Sequence, residues 1–512
     1  MESIRNRPIA RARARGMETP RRAFVEMTTT RSGRLAPLRS HLPFASALTV
    51  VLLATAVSYL PNLGDFFSTD DFLILAPARR LPAGSFIWNT LLLRGPVPFW
   101  RPLLAPVYVF ETWLFGLHPL PYHLVNLGLH LLITLFLCQL ARMLTQSNLI
   151  GLVAALLFGV SPTYAGSVAW MATLNELTAV TLYLLTLVLA VHAVQHRENS
   201  GFSWLGSFLC YLLALLAWEA AITVVPVVVL CYFGVRGIQH QRWRRFAAEV
   251  APFVGVAAAY CAFNWVAQVR EANNRLLVYG VGPHILQHYW WYLGRLALPV
   301  PDNAGAWVDP MRTIAASTLL CGCALAIWRG SMATRLMVAW LLVTIVPFTL
   351  WIIWTGGRWT YTPSLPLAIL LATGIVRLYH NLANRQIALA LSLAMIGFVL
   401  LPVVLGQAKV AQDHPLTLSA GRWHELLDTL RSEYPSLPAH STVYLVDGTF
   451  TDLFDGSYLE NIGQLLYGDV AIKAVDSPSF YAQHLGERPN VFALQYRDGH
   501  PSPVLLHGAM PR

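Results

Sequence analysis

Phe67-Ser68-Thr69-Asp70-Asp71-Phe72 sets two adjacent carboxylates just beyond an apolar run at residues 44–60. Acidic groups are costly to keep near a bilayer and tend to be retained there for function. A carboxylate at the mouth of a cavity can take the proton from an attacking hydroxyl. The same residues have a structural role open to them: Ser68, Thr69 or Asp70 can cap the helix that follows, with Asp71 favoured by its dipole. The two roles are compatible, because a capping turn would hold one carboxylate rigidly. Adjacent carboxylates repel and burial raises the proton affinity of at least one, so the residue types leave open which of the two is the base.

A second constellation opens the next apolar run. Phe99-Trp100-Arg101-Pro102-Leu103 precedes Pro121-Tyr122-His123-Leu124-Val125-Asn126, and Leu129-His130 follows. His123, Asn126 and His130 recur at i, i+3 and i+7, so they project from one helical face. Polar groups on one face within lipid point at a bundle interior or a cavity. The alternative is hydrogen bonding between helices, which is the favoured role for His130, deeper in the run.

These residues are positioned by membrane spans. Charged residues are 12% of the 512-residue chain, hydrophobic ones 55%, and mean hydropathy is +0.51. A soluble globular protein carries about a quarter charged residues. The net charge of +10 does not mark a nucleic-acid-binding face: ten arginines lie in positions 1–43, and others cluster in short turns between apolar runs. That is the positive-inside pattern. Lysine is nearly absent (Lys409 and Lys473), a bias of composition without chemical meaning. Cys138, Cys210, Cys231, Cys261, Cys321 and Cys323 all fall in apolar runs without zinc-ligand spacing, and imply no disulfide framework.

About eleven spans are expected, near 44–60, 122–142, 149–164, 176–194, 203–218, 222–235, 247–268, 313–328, 335–355, 363–379 and 386–406. Ala54-Thr55-Ala56 resembles a signal-peptidase site, but the apolar run continues past it, so the first span reads as a retained anchor. Arg142, Arg197, Arg236 to Arg245, Arg329 with Arg335, and Arg377 with Arg385 fall in alternate turns. This supports a cytoplasmic N-terminal segment, 1–43, and an extracytoplasmic C-terminus. Between them, 44–406 forms the membrane domain, with long extracytoplasmic loops at 61–121 and 269–312 rich in Pro, Trp and other aromatics. From 407 the chain turns more acidic and patterned for soluble structure, with helices at 416–434 and 458–467 and strands at 442–446, 470–475 and 490–496. The expected fold is an all-α polytopic membrane protein with a small C-terminal α/β extracytoplasmic domain. The absence of disulfide-rich or glycoprotein-like features in the tail points to a bacterial inner (plasma) membrane.

The order of Asp70-Asp71, Arg101-Pro102-Leu103 and Pro121-x-His123-Leu124-x-Asn126…His130 resembles the GT-C superfamily. Within it the likeness is to dolichyl-phosphate-mannose protein mannosyltransferases, including their transmembrane tetratricopeptide-repeat branch, although no such repeat is found here. Trp218-Glu219-Ala220-Ala221-Ile222-Thr223-x-x-Pro226 and Arg358-Trp359-Thr360-Tyr361-Thr362-Pro363-Ser364 are similar to two further segments of that group. The likeness runs in order over about 60–375. Departures are clear: Trp218 stands for the usual Lys, Ser161-Pro162-Thr163-Tyr164-Ala165-Gly166 lacks the usual His and Glu, and Gly357 replaces an acid. The Asp pair is retained.

The resemblance implies a GT-C-like hexosyltransferase, with mannose a candidate sugar. The donor would be a polyprenyl-phosphate sugar and the acceptor a protein, lipid or glycan outside the cytoplasm. Asp70 would act as general base with Asp71 as partner, in an inverting displacement. Arg358, beside Tyr361, would bind the leaving phosphate, with Arg101 second, since Arg binds phosphate bidentately. His123, Asn126 and Glu219 would line the cavity. A divalent metal is compatible with this chemistry, but no third carboxylate clusters with the pair. Two rival readings are a lipid or glycan transporter or flippase, which should show matching broken halves, and a non-catalytic membrane scaffold.

Overall fold

The computed structural model describes residues 44–92, 100–161, 165–196, 200–236, 243–271, 279–300, 305–352, 357–397 (except 383, 388 and 395), 415–446, 456–476, 490–497 and 500–503. Among them, nine helices are long and apolar enough to cross a membrane: Phe44–Gly64, Pro119–Thr145, Met171–Gln195, Ser200–Ala217, Glu219–Arg236, Trp243–Asn264, Val308–Arg329, Met332–Thr349 and Gly357–Asn381. Large apolar side chains such as Val50, Leu53, Phe202, Leu205 and Trp328 are exposed on these helices. Such a surface is stable against lipid, where helices also satisfy their own backbone.

Two expected spans differ. The run at 149–164 folds as a 12-residue helix, Asn148–Gly159, about 18 Å long against a hydrocarbon core of about 30 Å. Its end is pinned. A Cβ on Gly159 would lie 2.3 Å from Thr55 Oγ1, and the Ser161 carbonyl accepts a 2.6 Å hydrogen bond from Tyr59. The run at 386–406 lies in part outside the described residues.

His130 joins three helices. Its Nδ1 lies 2.6 Å from the Tyr361 hydroxyl and its Nε2 2.9 Å from the Gly159 carbonyl, while its ring packs edge-on against Tyr59. A wholly buried imidazole with both nitrogens bonded is structural, as its depth in the run led to expect.

The segment 61–121 is not an open loop. It folds into helices Asp70–Arg80, Ala83–Leu91 and Leu104–Phe115. The first carries two acids in its first turn and Arg79 and Arg80 in its last, the arrangement favoured by the helix dipole. Helix His284–Ala297 likewise occupies the second long connection.

The C-terminal unit is a four-stranded sheet, ordered β2-β1-β3-β4, with β1 Thr442–Val446, β2 Ala471–Val475, β3 Val491–Arg497 and β4 His500–Pro503. β1 runs parallel to both β2 and β3, and β4 is antiparallel to β3. β1 connects to β2 through helix Gly456–Tyr467, as a parallel pair requires. β4 was hidden in the sequence by Pro501 and Pro503; an edge strand tolerates them because one side of it needs no donors. Helix Pro415–Glu433 buries Trp423, Leu426, Leu427 and Leu430 along one stripe. Trp423 continues into the helical bundle, its ring 5.1 Å from that of Phe72 with both side chains wholly buried. Helix Gly456–Tyr467 lies along helix Asp70–Arg80. The two parts share one core.

Candidate functional site

Asp70 and Asp71 begin their helix side by side but face different surroundings. Asp71 is 1% exposed. Its Oδ2 accepts from the Ser68 amide and its Oδ1 from the Ala172 amide, both at 2.8 Å. The cap is therefore made backwards: Asp71 reaches to Ser68, whereas Thr69, at the N-cap position, makes no side-chain cap bond. The reason is the backbone. Thr69 has φ 42°, a conformation that costs a β-branched residue about 1–3 kcal/mol and lies outside the extended region a capping residue usually adopts. Asp70 is half-buried and keeps a carboxylate oxygen free of donors among the described residues. Its other oxygen accepts from Tyr458, at 2.8 Å.

Burial pushes the Asp71 carboxyl up to about 8, and Asp70 adds to this, against the opposing pull of the Ser68 and Ala172 amides and the Trp170 side chain. The folded protein thus holds a proton that the unfolded chain releases near 3.8. Stability from this group is present below the unfolded value and lost as pH rises through the folded one. Asp71→Asn should accordingly flatten the fall in melting temperature between about pH 4 and 8, measured by thermal unfolding in detergent.

The helix carrying His123 and Asn126 acts as a splint for the segments around these acids. His123 Nε2 bonds the Asp65 carbonyl at 2.8 Å, fixing the turn that leads to Asp70. Asn126 donates to the Trp170 carbonyl at 2.8 Å, and the Trp170 indole donates to the Ser68 carbonyl at 3.3 Å. Both splint residues are 1% exposed, so they act through what they hold.

Arg101 and Glu219, expected separately at donor and cavity, meet each other. Arg101 Nε and Nη2 bond the two carboxylate oxygens at 3.1 and 2.8 Å, and Tyr279 adds a 3.2 Å bond to Oε1. With its amide oriented to donate to the Ala172 carbonyl, Asn175 also accepts from Arg101 Nη1 at 2.9 Å. The side chains are 20% and 23% exposed. Removing one partner from a pair largely out of water leaves the other charge uncompensated. Glu219→Gln should therefore cost about 3 kcal/mol, the lower end for such pairs, read as a fall in melting temperature. Arg101→Lys should not preserve stability, because an ammonium cannot span both oxygens.

Arg358 is differently placed. Its guanidinium lies 4.5 Å from the Trp170 ring centre and 4.1 Å from that of Trp359. Among the described residues no carboxylate hydrogen-bonds to it, although it feels the charges of Glu176 and Asp70. Stacking between indoles fixes the plane of the cation and leaves its edges for an anion. Tyr361 does not join it: that side chain is wholly buried and its hydroxyl meets His130. A helix starting at Tyr361 turns this residue inward toward the bundle while Arg358, in the preceding Gly357–Thr360 turn, stays at the helix end.

Several residues of this site escaped the sequence reading. Glu176, 2% exposed, sits near the start of helix Leu174–Gln195 and feels Arg358 and Arg101; an acid at the head of a long apolar run was its signal. Arg295 fills the space that a side chain at Gly357 would need, since a Cβ there would lie 2.5 Å from its Nη1. It stacks on Trp291 at 3.9 Å. Where the acid missing at 357 would stand, Arg295 packs against the backbone instead. Among the described residues, no group of three or more His, Cys, Asp or Glu side chains could hold a metal ion.

No family model matches the chain. It is 32% identical over 225 residues to Protein O-mannosyl-transferase Tmtc1 of Drosophila melanogaster, covering 42% of this chain and 25% of that protein. It is 30% identical over 280 residues to Protein O-mannosyl-transferase Tmtc2 of the same fly, covering 48% and 30%. The chain therefore spans less than a third of the length of these curated relatives. Among solved structures, ArnT from Cupriavidus metallidurans in the apo state superposes with a TM-score of 0.50 at 14% identity, over 89% of this chain and 93% of that one. Similar over part of its length to protein O-mannosyl-transferases, the chain is a polytopic membrane protein with the fold of ArnT and a small C-terminal α/β unit.

Proposed function

We propose that this chain is a membrane glycosyltransferase that moves a hexose from a polyprenyl-phosphate donor to an acceptor hydroxyl on the extracytoplasmic side. One observation carries the reading: Asp70, with a carboxylate oxygen free of donors among the described residues, lies near enough to Arg358, a cation packed on two indoles, for the cation to feel its charge. Base and anion ligand are the two groups this displacement needs.

The chemistry follows from those positions. Asp70 takes the proton of the acceptor hydroxyl as its oxygen bonds to the anomeric carbon. The bond from that carbon to the phosphate oxygen breaks, and its electron pair leaves with the polyprenyl phosphate. Arg358 stabilises the charge gathered there. A single displacement inverts the anomeric centre. The two amide donors on Asp71 support Asp70 as the base, because Asp71 already spends both oxygens on the backbone. The names of the relatives make mannose the first sugar to test.

The arginine pattern supports a cytoplasmic N-terminus and a site-bearing end facing outward. The tail composition supports a bacterial plasma membrane as the location, whereas the two O-mannosyl-transferase relatives are fly proteins.

The test is to reconstitute the chain in liposomes with labelled polyprenyl-phosphate mannose and glucose, and with membrane glycan, lipid and peptide acceptors. Release of polyprenyl phosphate together with labelled acceptor supports the reading. Movement of intact donor between leaflets without cleavage would instead identify a flippase, and neither outcome would leave a scaffold.

A further inference from the structure

We infer that the C-terminal α/β unit completes the active site, and that Tyr458 is the positioning residue that fixes the carboxylate of Asp70. This rests on reading Asp70 as the base. The Tyr458 hydroxyl donates to Asp70 Oδ1 at 2.8 Å, across 388 residues of sequence. Among the described residues it is the hydrogen-bond donor to that side chain.

The tyrosine is not carried on a loose flap. Its helix, Gly456–Tyr467, lies along helix Asp70–Arg80 and buries Leu459 and Ile462. Trp423, from helix Pro415–Glu433, meets Phe72 two residues after Asp70, and neither side chain is exposed. The His424 ring lies 4.6 Å from that of Phe66. The contact between the two parts is packed like a core, so Tyr458 reaches Asp70 from a rigid support.

A base needs such support here. Asp70 follows Thr69, with its unfavourable backbone, and stands at a helix start where its own side chain can swing. Asp71 cannot hold it, because both oxygens of that neighbour are bound to amides. With Oδ1 taken by the phenol, the carboxylate plane is fixed and Oδ2 is presented to the acceptor hydroxyl. Small misplacements of a reacting group can cost about 100-fold in rate.

Tyr458→Phe keeps the ring and removes only the hydroxyl. In liposomes, its kcat should fall roughly 10- to 100-fold, with KM for the lipid-linked donor and the melting temperature unchanged. A general packing role would move the melting temperature instead. A second readout needs no turnover: labelling of Asp70 by a water-soluble carbodiimide, followed by peptide mass spectrometry, should be several-fold faster in Tyr458→Phe than in the native protein. Unchanged kcat with unchanged labelling would overturn the inference. So would a rise in kcat, which would mean that the phenol occupies the acceptor's place and blocks it. Were the native protein inactive on every donor, the transferase reading would fall, while the labelling rates would still decide whether Tyr458 holds Asp70.

Discussion

Asp70→Asn should stop transfer and leave the protein folded. A general base contributes about 10²- to 10⁴-fold, and asparagine keeps the shape of the side chain while losing the basic oxygen. Its carbonyl can still accept from Tyr458, so the packing over helix Asp70–Arg80 is preserved. The charge lost at the helix start is worth only about 0.3–1 kcal/mol. Release of labelled polyprenyl phosphate should fall by that factor with little change in melting temperature. Asp71→Asn should behave differently. Whichever way its amide turns, the NH₂ faces either the Ser68 or the Ala172 amide, and a buried donor meeting a donor costs about 1–3 kcal/mol. That variant should be less stable and only secondarily slower. If Asp70→Asn retained full turnover, Asp70 would not be the base.

Arg358→Ala should lower kcat by about 10²- to 10³-fold, the range for removing a donor aimed at developing negative charge. The loss should appear with the lipid-linked donor at saturation, because the phosphate carries most charge as it leaves. Arg358→Lys tests the geometry. It keeps the charge, but an ammonium cannot stack between Trp170 and Trp359 or present two parallel donors. It should remain at least tenfold below the native rate. Native kcat in Arg358→Ala would remove the phosphate role assigned to this residue.

Hydrophobicity made the spans legible because lipid selects apolar side chains one helix at a time, without regard to partners. It was silent on which helices touch. Arg101 and Glu219 therefore looked like two separate functional residues, although they form one ion pair across 118 positions. His123 and Asn126 were legible as one polar face, and what they hold, the carbonyls of Asp65 and Trp170, was not, because carbonyls leave no mark in a residue code. The helices within 61–121 were obscured by prolines and short lengths. The Asp pair was visible, while its division of labour depended on two amides, one of them 101 residues away. Tyr361 misled because a half-buried Arg358 in the turn and a wholly buried helix start lie only three positions apart.

The contact between Tyr458 and Asp70 also sets a biosynthetic clock. A ribosome adding about 5–20 residues per second makes the 388 residues between them in about 20–80 s. Through that interval Asp70 exists without the phenol that holds it. On the proposed reading, Asp70 is then an unguided base, and it gains direction only when the C-terminal unit has been made and has docked. Transfer should therefore begin only once that unit has docked.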